Sequence, residues 1–294
     1  MAPLESGEHD VTLNGVRLHY SVRGRGPVLI AHSGGPGWDA RSWDTAAGID
    51  SFVTLVVLHP RGSGLSAAPA DGRYALADYA ADLDALRRHL GVSKPIVMGW
   101  SHGGMVAQQY ASQYPEGLSK LVLYSTSARF GSGIPDPQAV FGALMVHQQQ
   151  PWFTDSMAAL QDWWAGRFKT DAEATGLLAR ALKFYFRTLD GEAERYLQRC
   201  MQWPVHIAPL LTFMGSEATA MDLRRGLAAV RVPGLVIAGR HDFVTPVAMS
   251  QEIASCLPGA QLEVFNDAGH FAHVEEPAHF HQRLRRFVLD EPAA

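Results

Sequence analysis

The stretch Ile96-Val97-Met98-Gly99-Trp100-Ser101-His102-Gly103-Gly104 constrains this chain more than any other. It reads as a buried strand, then one serine flanked by glycines, then a helix start. A turn that tight accepts only very small residues two before and two after the serine, and Gly99 and Gly103 stand at those places. Such a G-x-S-x-G elbow lifts the Ser101 hydroxyl above a sheet edge, at the N-terminus of the following helix. The backbone N–H of His102 then points to where a negative oxygen would form. Framed by an apolar strand and a predicted helix over 105–114, the pattern is a candidate nucleophile and not a chance serine in a turn.

Strand and helix patterns alternate around it. Residues 11–23 alternate apolar and polar about Asn14-Gly15, which predicts an antiparallel hairpin. Short apolar runs at 28–32 and 52–59 end in Ser33-Gly34-Gly35-Pro36-Gly37 and Pro60-Arg61-Gly62-Ser63-Gly64. Apolar residues at 76, 79, 80, 83, 86 and 90 predict an amphipathic helix over 76–90, stopped by Gly91. With strands at 96–99 and 121–125, this order implies a parallel sheet with right-handed crossovers. From Phe130 to about Val230 the pattern turns helical, with segments at 137–149, 154–168, 171–188, 192–200 and 218–230. Trp152, Trp163, Trp164 and Trp203 fall in this stretch, which suits an aromatic-lined cap over the site as well as packing between helices. Strands return at 234–238 and 260–265, with helices at 246–256 and 276–288. The expected organisation is a core of residues 1–129 and 231–294 and a helical cap of residues 130–230.

A chain of 294 residues with 47% hydrophobic and 18% charged residues can bury a substantial core. A net charge of −4 argues against a nucleic-acid surface. Cys200 and Cys256 give neither a disulfide framework nor metal-ligand spacing. The start, Met1 to Asp10, lacks the basic and apolar run of a signal peptide, and no segment has membrane-spanning length. The expectation is a cytoplasmic protein without a nucleic-acid or membrane partner.

A serine hydroxyl needs a base to take its proton and a third group to orient that base. Of the 13 histidines, His270 is the candidate base, because it follows a strand and Gly269 in a short loop. The orienting acid should close the preceding strand, and Asp242 follows Leu235-Val236-Ile237-Ala238-Gly239 there. Asp267 lies on the His270 loop itself, where local capping explains it, and Tyr124-Ser125-Thr126-Ser127 offers no carboxylate after the other strand. An oxyanion hole needs two converging donors. One is the His102 amide; the other belongs to the 33–37 loop, with Gly35 favoured over Gly34. That loop lacks the Lys-Ser/Thr ending of a phosphate cradle and any G-x-G-x-x-G pattern. His279 and His281 are two apart on a predicted helix and share no face, so no metal is expected. No cofactor is needed for such chemistry.

With these residues the chain resembles the α/β-hydrolase superfamily over nearly its whole length, and within it the prolyl iminopeptidase branch. Gly34-Gly35-Pro36-Gly37 matches that branch's His-Gly-Gly-Pro-Gly motif, and Arg61-Gly62-Ser63-Gly64-Leu65-Ser66 matches its arginine-glycine loop. A long helical insertion falls between the strand at 121–125 and the acid strand. Three positions depart: Ser33 replaces the motif histidine, His59 stands where Asp precedes the arginine loop, and His102 follows the serine where Trp is usual. The resemblance implies an α/β fold with a mainly parallel, eight-stranded sheet and an inserted cap.

It also implies a serine hydrolase that forms an acyl-enzyme and removes an N-terminal aminoacyl residue from a short peptide or small-molecule amide. Such a site must hold a substrate ammonium, for which a cap carboxylate is suited. Glu217 is the single candidate, set in the mostly apolar run 210–221, although a helix-end or solvent-facing glutamate reads the same way. Asp155, Asp162, Glu173 and Glu194 are further possibilities. Gly34 and Trp100 are expected to touch substrate. The alternatives are an esterase or lactonase, a carbon–carbon bond hydrolase, and a hydrolase-fold protein that binds a ligand without turnover.

Overall fold

A computed structural model of the chain describes residues 4–43, 46–130 and 136–292. Asn14 and Gly15, with φ of 49° and 76°, make the tight turn that joins β1 (Gly7–Leu13) to β2 (Val16–Gly24). The hairpin begins at Gly7, earlier than the apolar alternation predicted, because β1 is paired to β2 along its whole length. β3 (Val28–His32), β4 (Thr54–Leu58), β5 (Ile96–Trp100), β6 (Lys120–Tyr124), β7 (Gly234–Gly239) and β8 (Gln261–Phe265) complete an eight-stranded sheet in the order β1-β2-β4-β3-β5-β6-β7-β8. β2 runs antiparallel to both of its neighbours, and every other pairing is parallel, as expected.

The central strands are buried on both faces, which is why they read as continuous apolar runs. Successive side chains alternate between two hydrophobic layers. Ile96, Met98 and Trp100 join Phe280, Leu284 and Phe287 of the last helix, α12 (Pro277–Val288), on one side. Val97 faces the other side, with Leu83 and Leu86 of α1 (Leu76–His89) and Met105 and Val106 of α2 (His102–Gln113). α10 (Val247–Cys256) adds Ile253 to that second layer.

Between β6 and β7 the described chain is helical: α3 (Pro137–Met145), α4 (Phe153–Trp164), α5 (Asp171–Ala181), α6 (Gly191–Cys200), α7 (Ile207–Thr212) and two short pieces, α8 (Ala218–Ala220) and α9 (Arg224–Leu227). Residues 131–135, where the expected cap begins, lie outside the described residues. Two predicted helices are interrupted. The one over 171–188 stops at Ala181, tightens through a 3-10 turn over Leu182–Tyr185, and is extended at Phe186. The one over 218–230 breaks at Met221, where the chain turns extended; the Leu223 N–H donates to the Ala128 carbonyl at 2.8 Å and Asp222 bridges to Arg129. Backbone partners from another part of the chain outcompete helix propensity there. α7 falls in a stretch the periodicity left unassigned. Among the described residues no helix is long and apolar enough to cross a membrane.

The arginine-glycine loop has a structural task. Arg61 is 4% exposed and grips the equally buried Asp82 of α1 through two hydrogen bonds, Nε to Oδ2 and Nη2 to Oδ1, both 2.7 Å. Asn14 of the hairpin turn donates to the same Oδ1 at 2.9 Å, so one carboxylate ties loop, helix and hairpin together. Replacing Asp82 with Ala would leave a buried guanidinium without its partner, which typically costs about 3–5 kcal/mol. Urea unfolding should show a loss of stability of that order, and so a lower midpoint, in Asp82→Ala; an unchanged midpoint would mean that water replaces the pair.

Candidate active site

Ser101 sits directly after β5 with φ 54° and ψ −123°, a strained backbone for a residue with a side chain. Its surroundings over-determine that conformation. The Ser101 N–H donates to the Tyr124 carbonyl on β6 at 2.9 Å. Its carbonyl accepts from the Gly104 N–H at 2.9 Å and from the Thr126 hydroxyl at 2.7 Å. A Cβ at Gly99 would run into the Gly103 carbonyl, and one at Gly103 would run into the carbonyls of His32 and Ser33 at the end of β3. Both glycines are therefore required by close backbone approach, as the motif predicted. His102 opens α2, so its N–H has no acceptor within the helix.

Asp242 and His270 close the loops after β7 and β8, and the structure brings them together. The Asp242 Oδ2 lies 2.7 Å from the His270 Nδ1 and also accepts from the Thr245 hydroxyl at 2.7 Å. Its Oδ1 accepts the backbone N–H groups of Val244 and Thr245 at 2.8 and 3.0 Å. An oxygen that already accepts a hydroxyl proton takes the imidazole bond as acceptor too, so Nδ1 carries the ring proton and Nε2 is left as a base. Both side chains are almost fully buried. The His270 N–H donates to the Tyr185 carbonyl of the cap at 2.7 Å, and the Tyr185 ring meets the imidazole edge-on with centroids 5.4 Å apart.

Ser101, His270, Gly35 and His102 line one cavity of about 200 Å³. Trp38, Trp100 and Met105 line it from the sheet and its following elements, and Trp163, Leu178, Tyr185, Leu210 and Phe213 line it from the helical segment between β6 and β7. No Asp, Glu, Lys or Arg is among the described lining residues. His102 adds no charge either: burial, with His32 alongside, pushes its imidazole down to about 3, so the ring is neutral. That ring is held edge-on between Tyr79 and Phe213, at centroid distances of 5.4 and 5.1 Å.

The sequence-predicted residues divide accordingly. Ser101, Asp242 and His270 converge, and Gly35, His102 and Trp100 reach the cavity. Gly34 does not; it backs onto the Ser101 Cβ and the Trp100 ring, about 3.0 Å from where its own Cβ would be. Glu217 is also displaced from its expected role. It lies outside the cavity wall, and its Oε2 accepts the Leu76 N–H at 3.3 Å at the first turn of α1, because the turn over Phe213–Glu217 directs it toward the core helix. The other cap carboxylates face elsewhere: Asp155 pairs with Arg180, Asp162 with Arg167, Glu173 accepts the Lys169 N–H, and Glu194 is exposed. Thr245 and Tyr185 went unnoticed in the sequence. Thr245 had a local signal, three residues after Asp242 in an Asx-type turn; Tyr185 had none.

A family model for the alpha/beta hydrolase fold matches residues 27–277. The chain is 28% identical to 3-oxoadipate enol-lactonase 2 of Acinetobacter baylyi, covering 93% of this chain and 94% of that protein. It is 27% identical to proline iminopeptidase PfmaB of Pestalotiopsis fici, over 90% and 94% of the two chains. Among solved structures, that of Est816, an N-acyl homoserine lactone degrading enzyme, superposes with a TM-score of 0.71 at 25% identity, over 95% of this chain and all of that one (100%).

The elbow offers a direct test. Gly99→Ala places a methyl group against the Gly103 carbonyl with no flexible side chain to yield. Its thermal midpoint should fall by several degrees, on the scale of about 1–3 kcal/mol for overpacking. A variant as stable as the parent would show that β5 and α2 can separate at this point.

Proposed function

The chain belongs to the α/β-hydrolase family, and on that premise we propose that it is a serine hydrolase of small, uncharged, largely apolar esters or lactones. The hydroxyl of Ser101 attacks the acyl carbon while the His270 Nε2 takes its proton. Asp242 holds the imidazole and stabilises its charged form. The N–H groups of Gly35 and His102 receive the oxyanion, and the leaving oxygen takes the proton back from His270. Water, deprotonated by the same Nε2, then attacks the acyl-enzyme; the Ser101–acyl bond breaks, His270 returns the proton to the Ser101 oxygen, and the acid is released. The buried Asp242–His270 pair opening onto the Ser101 cavity supports these assignments.

One observation carries the substrate class: the cavity wall has no charged side chain among the described residues. An ammonium brought into such a wall would lose its hydration with no carboxylate to replace it, at a cost of several kcal/mol. An uncharged acyl group loses nothing comparable and gains from burial against Trp163, Leu178 and Leu210. The Est816 and enol-lactonase likenesses agree with a lactone or ester. Cleavage of an aminoacyl amide is the second reading, favoured by the PfmaB likeness.

Short acyl aryl esters, an acyl homoserine lactone and prolyl and alanyl arylamides, assayed side by side, separate the two. Turnover of the esters or lactone with arylamide turnover at least a hundredfold lower is expected; the reverse order, abolished by N-acetylation, would restore the aminopeptidase reading. Ser101→Ala should lower kcat by roughly a thousandfold or more and abolish fluorophosphonate labelling. Near-normal turnover in that variant would remove Ser101 from the reaction.

A further inference from the structure

Glu275 ends α11 (Ala272–Glu275), the short helix that follows the His270 loop. Its carboxylate faces two peptide segments at once. The Oε2 accepts the N–H of Gly269 at 2.7 Å. The Oε1 accepts the N–H of Arg187 at 2.7 Å and that of Thr188 at 3.2 Å, both on the cap. The same cap segment supplies the Tyr185 carbonyl to the His270 N–H and the Tyr185 ring to the cavity wall. The two segments touch without a side chain between them, since a Cβ at Gly269 would strike the Tyr185 carbonyl. Glu275 thus grips the residue before His270 and the residues just after Tyr185.

We propose that Glu275 is a positioning residue: its ionised carboxylate clips the cap segment 185–188 to the His270 loop and so fixes where the imidazole stands relative to Ser101. The proposal rests on the reading of Ser101, His270 and Asp242 as the reacting set. Three N–H donors demand an acceptor at each contact. An ionised carboxylate supplies it, whereas a protonated one turns one oxygen into a donor facing a donor.

The clip is sensitive to pH. Burial pushes the Glu275 carboxyl up to about 7, against the pull of the backbone donors and with Asp190 adding repulsion. The nearby charges do not neutralise it. Arg187 directs its guanidinium to Asp267 at 3.5 Å and to His241 at 3.4 Å, and Glu276 caps the Asp267 N–H. His273, on the same helix, is held neutral by burial. His270 exchanges a proton with Ser101 in the proposed reaction. Because the folded value lies above the ordinary glutamate value of 4.5, Glu275 favours folding most below about 4.5, and that contribution is lost as pH rises through about 7. Reactivity needs the opposite form, so activity and stability should diverge between those values.

The test is the rate at which Ser101 is labelled by a fluorophosphonate from pH 5.5 to 9, which needs no knowledge of the substrate, with thermal unfolding measured in parallel. In Glu275→Gln labelling should slow roughly 10- to 100-fold at pH 8, the scale for a misplaced catalytic group. Its profile should lack the step near pH 7 that Glu275 gives the parent. Its stability relative to the parent should rise as pH increases from about 4.5 to 7, while Glu275→Asp recovers part of the rate. Equal labelling rates and identical pH profiles in the parent and Glu275→Gln would overturn the proposal. An unlabelled parent would instead overturn the serine-hydrolase reading beneath it. Should Glu275→Gln fail to fold, Glu275→Asp, with the charge kept and the reach shortened, carries the test: a parent-like rate and profile would overturn the clip.

Discussion

Backbone meets backbone at Gly99, Gly103 and the end of β3, with no side chain between them, and the site depends on that contact. It brings the start of α2 against the carbonyls of His32 and Ser33, so the loop that carries Gly35 and the helix that carries the His102 amide share one wall. The strain at Ser101 follows from the same approach. The chain has one residue in which to turn from a central strand into a helix, and hydrogen bonds from β6 and Thr126 hold it there. A substitution that opened this contact would loosen Ser101 and the Gly35 and His102 backbones together.

Asp242 and His270 are held by a different logic. Asp242 is fixed within its own turn by two backbone N–H groups and the Thr245 hydroxyl, which leaves Oδ2 to orient His270. His270 is located from outside its own loop. Its amide and the amide of Gly269 are satisfied by the cap carbonyl of Tyr185 and by Glu275. The helical segment between β6 and β7 therefore both lines the cavity and helps hold the His270 loop. This couples the cavity wall to the placement of the His270 imidazole, since Tyr185 touches both.

The candidate site was legible in the sequence because Ser101, Asp242 and His270 each sit at a place the local pattern marks. Ser101 is enclosed by glycines after a strand, and Asp242 and His270 each follow an apolar run that can only be a buried strand. The period-2 and run-of-apolar signals are local, and the eight-stranded sheet follows from them. The helix boundaries in the cap were less legible. At Ala181 and Met221 the chain leaves the helix to meet backbone partners that are distant in sequence, and propensity carries no information about them.

Glu217 shows where sequence reading stops. An acidic residue in an apolar run reads equally as a ligand for a substrate ammonium or as a structural acceptor. The direction taken by the turn over Phe213–Glu217 decided that it caps α1. The same holds for Glu275, whose three donors come from two segments far apart in the chain. The sequence by itself determined the sheet and the elbow and pointed to Ser101, Asp242 and His270 as candidates, because strand ends and tight turns are local consequences of residue size and hydrophobic pattern. Only the tertiary structure decided that the wall around them carries no charge among its described residues and that the cap helps hold the base, because side-chain direction across helices depends on packing between segments that no local pattern specifies.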